Sequence, residues 1–121
     1  MAEQPTSLKI TESEGVTLVA FRDASILDAA TTQRVGQELY ELIESGNHAT
    51  VVLDFAKVRF LSSQTLGVLL TLRRKADKAK VRVALARIRP ELQRVFEITN
   101  LYKLFGSFDT TEDAVANLSD G

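Results

Sequence analysis

The chain is expected to fold as an α/β domain built on a mixed, mostly parallel β-sheet of four to five strands, with an N-terminal β-hairpin and about four flanking helices. Three observations lead there. Two short runs of alternating or apolar residues, Leu8 to Thr11 and Val16 to Phe21, are separated by the turn residues Ser13-Glu14-Gly15, which predicts a hairpin with antiparallel pairing. After it, apolar strands alternate with segments of helical periodicity, an order that favours parallel pairing through right-handed crossovers. Finally, 121 residues, 45% apolar and 26% charged, suffice for one domain, 1–121, with a buried core and no covalent staples.

The elements follow in order. Polar residues 1–6 and the terminal Ser119-Asp120-Gly121 are expected to be loose. Asp28 is the predicted N-cap of a helix over roughly Ala29 to Glu44, in which Val35, Leu39, Leu42 and Ile43 recur at helical spacing. Ser45-Gly46-Asn47 ends that helix, with Gly46 suited to a left-handed closing residue. The next strand, Thr50 to Phe55, is nearly all apolar, as a strand covered on both faces should be. A second helix is predicted from Ser63 to about Lys78, then a strand from Lys80 to Ile88 with Val81, Val83 and Leu85 on one face. Arg89-Pro90-Glu91 opens a third helix, proline standing in the first turn where its missing donor costs nothing. Leu104 to Phe108 reads as a last edge strand. Thr110 with Asp113 resembles a capping box and starts a final helix carrying Ala114, Val115 and Leu118.

Composition excludes several functions. Fifteen basic residues against sixteen acidic give a net charge of -1, so no global field draws the chain to nucleic acid or to an anionic membrane. The chain has no cysteine and one histidine, His48, which argues against thiolate chemistry and against a metal site. Neither Gly15 nor Gly46 belongs to a phosphate-cradling pattern, and no cofactor is expected. The N-terminus lacks a secretory signal, and no apolar run approaches the length of a membrane span. A cytoplasmic protein is the expectation.

The chemistry centres on Ser62 and Ser63, set between an apolar strand and the start of an apolar helix. A serine there can be phosphorylated, bind an anion or cap the backbone. Catalysis by either serine is not expected: the Gly-x-Ser-x-Gly elbow is absent, and a strand of roughly 20 Å separates His48 from Ser63. Asp54, at a strand end, has two readings: contact with a partner, or acceptance of backbone hydrogen bonds in its own loop. Arg73-Arg74-Lys75, Lys78 and Lys80 form a basic cluster, but cations there complement the negative end of a helix, and direct nucleic-acid binding is not expected. Apolar residues cover roughly 200° of the second helix, wider than one core face requires. Either Val68 or Leu72 is left for a partner, or the helix is buried more deeply beneath its neighbours.

These residues resemble a known family. The run Val51-Val52-Leu53-Asp54-Phe55, followed by Val58-Arg59-Phe60-Leu61-Ser62-Ser63-Gln64-Thr65-Leu66-Gly67-Val68-Leu69, is similar to the signature of STAS domains, the anti-sigma factor antagonists. In that signature an apolar strand ends in aspartate, and a short loop leads to Asp-Ser-Ser-Gly-Leu-Gly-Val-Leu. Ile26-Leu27-Asp28-Ala29-Ala30-Thr31 also looks like the segment before the family's first helix. The resemblance implies a single STAS-like domain that binds an anti-sigma factor, itself a serine kinase of the histidine-kinase-like ATPase fold. Phosphorylation, which falls at Ser63 by this alignment with Ser62 and Thr65 as alternatives, releases the partner, and a serine phosphatase removes the mark. The partner surface so implied comprises Asp54, Ser62, Ser63, Gln64 and Thr65, with Val68 and Leu72. Three positions depart from the signature: Ser62 replaces an aspartate, Gln64 the second serine, and Thr65 a glycine. Thr65 is thereby expected to put a side chain where a partner needs close approach. The rival readings are a STAS scaffold or a subunit of a transport or sensory assembly without phosphorylation control, and a small-molecule or nucleotide-binding module.

Overall fold

Residues 7–119 are described in a computed structural model of the chain. The segment 1–6 and positions 120–121, expected to be loose, lie outside the described residues. The hairpin consists of β1 (Leu8–Ser13) and β2 (Val16–Phe21), paired antiparallel with Leu8 opposite Phe21. Its turn uses two positive-φ residues, Glu14 (φ 52°) and Gly15 (φ 82°), the conformation that matches the twist of a two-residue hairpin. A short β3 (Ser25–Ile26) precedes α1 (Ala29–Glu44), whose N-cap is Asp28, as predicted. Then come β4 (Thr50–Asp54), β5 (Phe60–Leu61), α2 (Ser63–Ala79), β6 (Arg82–Ala86), α3 (Pro90–Ile98), a one-turn α4 (Leu101–Leu104), β7 (Gly106–Phe108) and α5 (Thr111–Leu118).

The main sheet has the order β1-β2-β4-β6-β7, parallel beyond the hairpin. Each crossover steps the same way across the sheet, so right-handed connections place α1, α2 and the α3–α4 segment on one face. There Val51, Leu53, Val83 and Leu85 meet Val35, Leu39, Leu69, Leu72 and Phe96 in the principal core. Among the described residues the opposite face is covered by α5 alone, whose Ala114 and Val115 pack on Val16, Val52, Ala84 and Ala86.

Several boundaries differ from expectation. The strand predicted from Lys80 to Ile88 is confined to Arg82–Ala86, because Lys80 (φ 61°) closes α2 and Arg87 (φ 57°) breaks the ladder, both left-handed. The edge strand predicted from Leu104 starts at Gly106, since Leu104 belongs to α4. The pair β3–β5 had no alternating pattern long enough to announce it. Among the described residues no helix is long and apolar enough to cross a membrane.

Candidate functional site

The site is built where β5 runs into α2. Ser62 has extended backbone (φ -88°, ψ 165°) and caps the helix, its Oγ accepting from the Thr65 N–H at 3.2 Å. Its own N–H donates to the Ile26 carbonyl, continuing the parallel β3–β5 pairing. Ser63, the first helical residue, is exposed, and its hydroxyl has no hydrogen-bond partner among the described residues. Gln64 is exposed beside it.

Thr65 is different. It is only 3% exposed, and its hydroxyl donates to the Ile26 carbonyl at 3.0 Å while lying 3.2 Å from Thr32 Oγ1 and 3.0 Å from Ser62 Oγ. Enclosed in this network it is not open to a kinase, which corrects its reading as an alternative phosphorylation site. Because its side chain points inward, it does not obstruct close approach from outside, contrary to expectation. At position 62 the departure preserves the cap, since serine and aspartate are both strong N-caps.

Leu72 is also corrected: it is 0% exposed and packed in the principal core, so it offers nothing to a partner. Val68 is half-buried against α1, where a Cβ added to Gly36 would stand 3.3 Å from both Val68 methyl carbons. It still borders a groove of about 440 Å³ between α1 and α2, shared with Thr32, Gly36, Tyr40 and Gln64. The outward stripe of α2 is Ser63, Gly67, Leu70 and Arg74, all exposed, at the i, i+4, i+7, i+11 spacing of one helix face. Sequence reasoning missed Leu70, and with it Leu27 and Phe60, which are 52% and 54% exposed. The register Ser25↔Phe60 and Ile26↔Leu61 sets Leu27 and Phe60 on either side of Ser62. For Leu27 the signal lay in alternation, since Ile26 is inward and its neighbour must turn out, whereas Phe60 turns out because it pairs with exposed Ser25, a register the sequence did not announce.

Asp54 does not join this surface. Its register partners Ala20 and Ala86 place it on the α5 face of the sheet, opposite α2. There it accepts from the Ala56 N–H at 3.1 Å, the loop role weighed for it, and from Arg87 through Nε at 2.9 Å and through Nη2. The carboxylate is buried at 8% exposure, and its hydrogen bonds push the Arg87 pKa above its ordinary value, so the guanidinium stays charged. Its reading as a contact of the Ser63 partner surface is corrected. His48 lies at the far end of β4, 2.8 Å from Thr17 Oγ1, and takes no part in the site. Of the basic cluster, Arg73 pairs with Asp77 and Lys75 with Glu44.

With fold and site in place, the chain belongs to the STAS domain family, which it matches over residues 7–114. It is 25% identical over 91 residues to BtrV of Bordetella bronchiseptica, named as an anti-sigma factor antagonist, covering 75% of this chain and 78% of that one. Among solved structures it resembles an anti-sigma factor antagonist from Mycobacterium paratuberculosis, with TM-score 0.79, 23% identity and 92% of each chain covered. It also resembles the Bacillus cell-fate determinant SpoIIAA in its phosphorylated form, with TM-score 0.70, 18% identity, and 92% of this chain and 98% of that one covered.

Proposed function

We propose that this chain is an anti-sigma factor antagonist-like regulator that acts by partner switching. It binds an anti-sigma factor that is also a serine kinase of the histidine-kinase-like ATPase fold. Phosphorylation of Ser63 releases that partner, and a serine phosphatase restores binding. The observation that carries the reading is the sorting of three neighbouring hydroxyls: Ser62 is held in the cap, Thr65 is enclosed, and Ser63 alone is exposed and free of partners among the described residues. Around it, Leu27, Phe60 and Leu70 supply apolar area, and Gln64 and half-buried Val68 line the adjoining groove.

The energetics support a binding switch without unfolding. A phosphate adds about -1.5 to -2 charges, and at a helix N-terminus it is favourable by about 0.3 to 1 kcal/mol. In a desolvated contact the same dianion costs several kcal/mol, enough for roughly a hundredfold loss of affinity.

The test is to incubate the protein with ATP and the candidate kinases encoded beside its gene, locate phosphate by mass spectrometry and measure binding. Ser63→Ala is expected to bind the kinase without being modified, and Ser63→Asp to bind about a hundredfold more weakly with its Tm unchanged. Modification of Ser63→Ala at the parent's rate, or parent-like binding by Ser63→Asp, would sink the proposal.

A further inference from the structure

The carboxyl-terminal half of α2 borders a groove of about 460 Å³ whose other wall is Glu44, at the end of α1. Neither Ser7, held by Glu38 on another face of α1, nor Ser119, beside the hairpin turn, lines it. Thr71 and Ala79, small residues between longer ones, give the groove its depth, and Arg74, Lys75 and Lys78 surround it.

Ion pairing sorts these charges. Glu44 is matched by Lys75 Nζ at 2.9 Å, and the same ammonium lies 5.2 Å from the centre of the Tyr40 ring. Asp77, the carboxylate on these turns of α2, is matched by Arg73 Nε at 3.0 Å. Arg74 and Lys78 are exposed and have no partner among the described residues, and the same holds for Lys80 and Arg82 just beyond. In a chain of net charge -1, four positive charges thus gather at one helix end. Offsetting the helix dipole does not account for Arg74, which precedes the last turn, where that effect is felt.

Arg74 and Lys78 follow Leu70 at i+4 and i+8, each about 6 Å further along the axis, so one ridge presents an apolar group and then two charges. A second helix laid antiparallel along this ridge sets its positive N-terminal end against the negative end of α2, and carboxylates one turn apart on it meet Arg74 and Lys78. Nucleic acid fits less well: the Tyr40 ring is covered by Lys75, which leaves a base nothing to stack on. An anionic membrane also fits less well, because the charges line a concavity and not a flat face.

We propose that this ridge docks an acidic helix of a protein partner, antiparallel to α2, with carboxylates at i, i+4 spacing on Arg74 and Lys78 and an apolar side chain on Leu70. The site works whether or not Ser63 is modified. Arg74 lies about 16 Å from Ser63 along the helix axis, roughly two Debye lengths at physiological salt, so a phosphate on Ser63 does not neutralise it.

The test is an amide NMR titration of the full chain with an alanine-rich helical peptide carrying Glu pairs at i, i+4 spacing. Its Gln-substituted twin, a short DNA duplex and phosphatidylserine vesicles are run in parallel at one ionic strength. The Glu peptide is expected to shift the signals of Thr71, Arg74, Lys78 and Ala79, to leave Lys9 and Lys57 in place, and to bind more weakly as salt is raised. The Gln peptide should bind at least about tenfold more weakly. Arg74→Glu/Lys78→Glu should raise the Glu-peptide Kd at least about tenfold, Arg74→Gln/Lys78→Gln should raise it less, and Ser63→Asp should leave it unchanged. The proposal is overturned by an absence of shifts with the Glu peptide at about millimolar concentration, or by shifts centred on Lys9 and Lys57. It is overturned equally by the Gln peptide binding as well, by DNA or vesicles binding these residues more tightly, by loss of binding in Ser63→Asp, or by a folded charge-reversed variant that binds like the parent.

Discussion

The Thr65 hydroxyl joins the carbonyl of Ile26, the side chain of Thr32 on α1 and the cap residue Ser62, so one oxygen fixes where α2 begins relative to β3 and α1. Thr65→Val keeps the shape and removes the oxygen. It is expected to lower stability by about 1–2 kcal/mol, since Ile26 O retains the Ser62 N–H but Thr32 loses its partner. Thermal melts should show a Tm several degrees lower, a smaller loss for Thr65→Ser, and a change within about 0.5 kcal/mol for exposed Ser63→Ala. In the sequence the three hydroxyls looked alike, yet the distinction was available: Thr65 lies four residues before Leu69 and seven before Leu72, on the buried stripe. What periodicity could not supply was the Asp54–Arg87 pair, whose members are 33 residues apart and meet only through the β4–β6 register.

At the scale of elements, α2 has two stripes with opposite duties. Thr65, Leu69, Leu72 and Ala76 are buried, and Ser63, Gly67, Leu70 and Arg74 face out. The width of apolar coverage foretold that something would be left over, but it did not say which leucine, because the helix phase is set by its packing on α1. Two glycines at this helix pair separate fold from function. A Cβ on Gly67 meets nothing within 4 Å, so Gly67→Ala should stabilise the domain by about 0.5–1 kcal/mol while weakening capture of the kinase proposed as its partner. A Cβ on Gly36 meets both methyls of Val68 at 3.3 Å, and a β-branched side chain has no easy rotamer to retreat into. Gly36→Ala should therefore destabilise by about 1 kcal/mol or more, despite its gain in helix propensity. Urea denaturation of the two variants checks both signs. The predicted elements themselves came through because hairpin, caps and crossovers are written in short-range patterns. Two-residue β3 and β5 are set by pairing with each other, and one-turn α4 is too short to show a period.

For the molecule as a whole, two helix starts tie stability to acidity. Asp28 is held below its ordinary pKa chiefly by the Thr31 backbone N–H, and Glu91 by its own backbone N–H with Arg89 nearby. A lowered folded-state pKa means that the unfolded chain binds more protons. The stabilisation is therefore present above the ordinary carboxylate values and is lost as pH falls through the folded-state ones. Melts across the acid range should show Tm falling there, and Asp28→Asn should flatten that fall. The single direction of the crossovers was readable from the element order, and it explains why α1 to α4 share one face. That α5 would take the other face was not readable, because the connection from β7 is not a crossover. One consequence reaches beyond architecture. Strand β4 is a partition, with Leu53 turned to the α2 side and Asp54 to the α5 side. The phosphate proposed for Ser63 and anything held on the α5 face therefore need not compete for room. The two faces are joined by the loop in which Ala56 is held by Asp54 and by Arg89 Nη1, and Arg59 by Ala24.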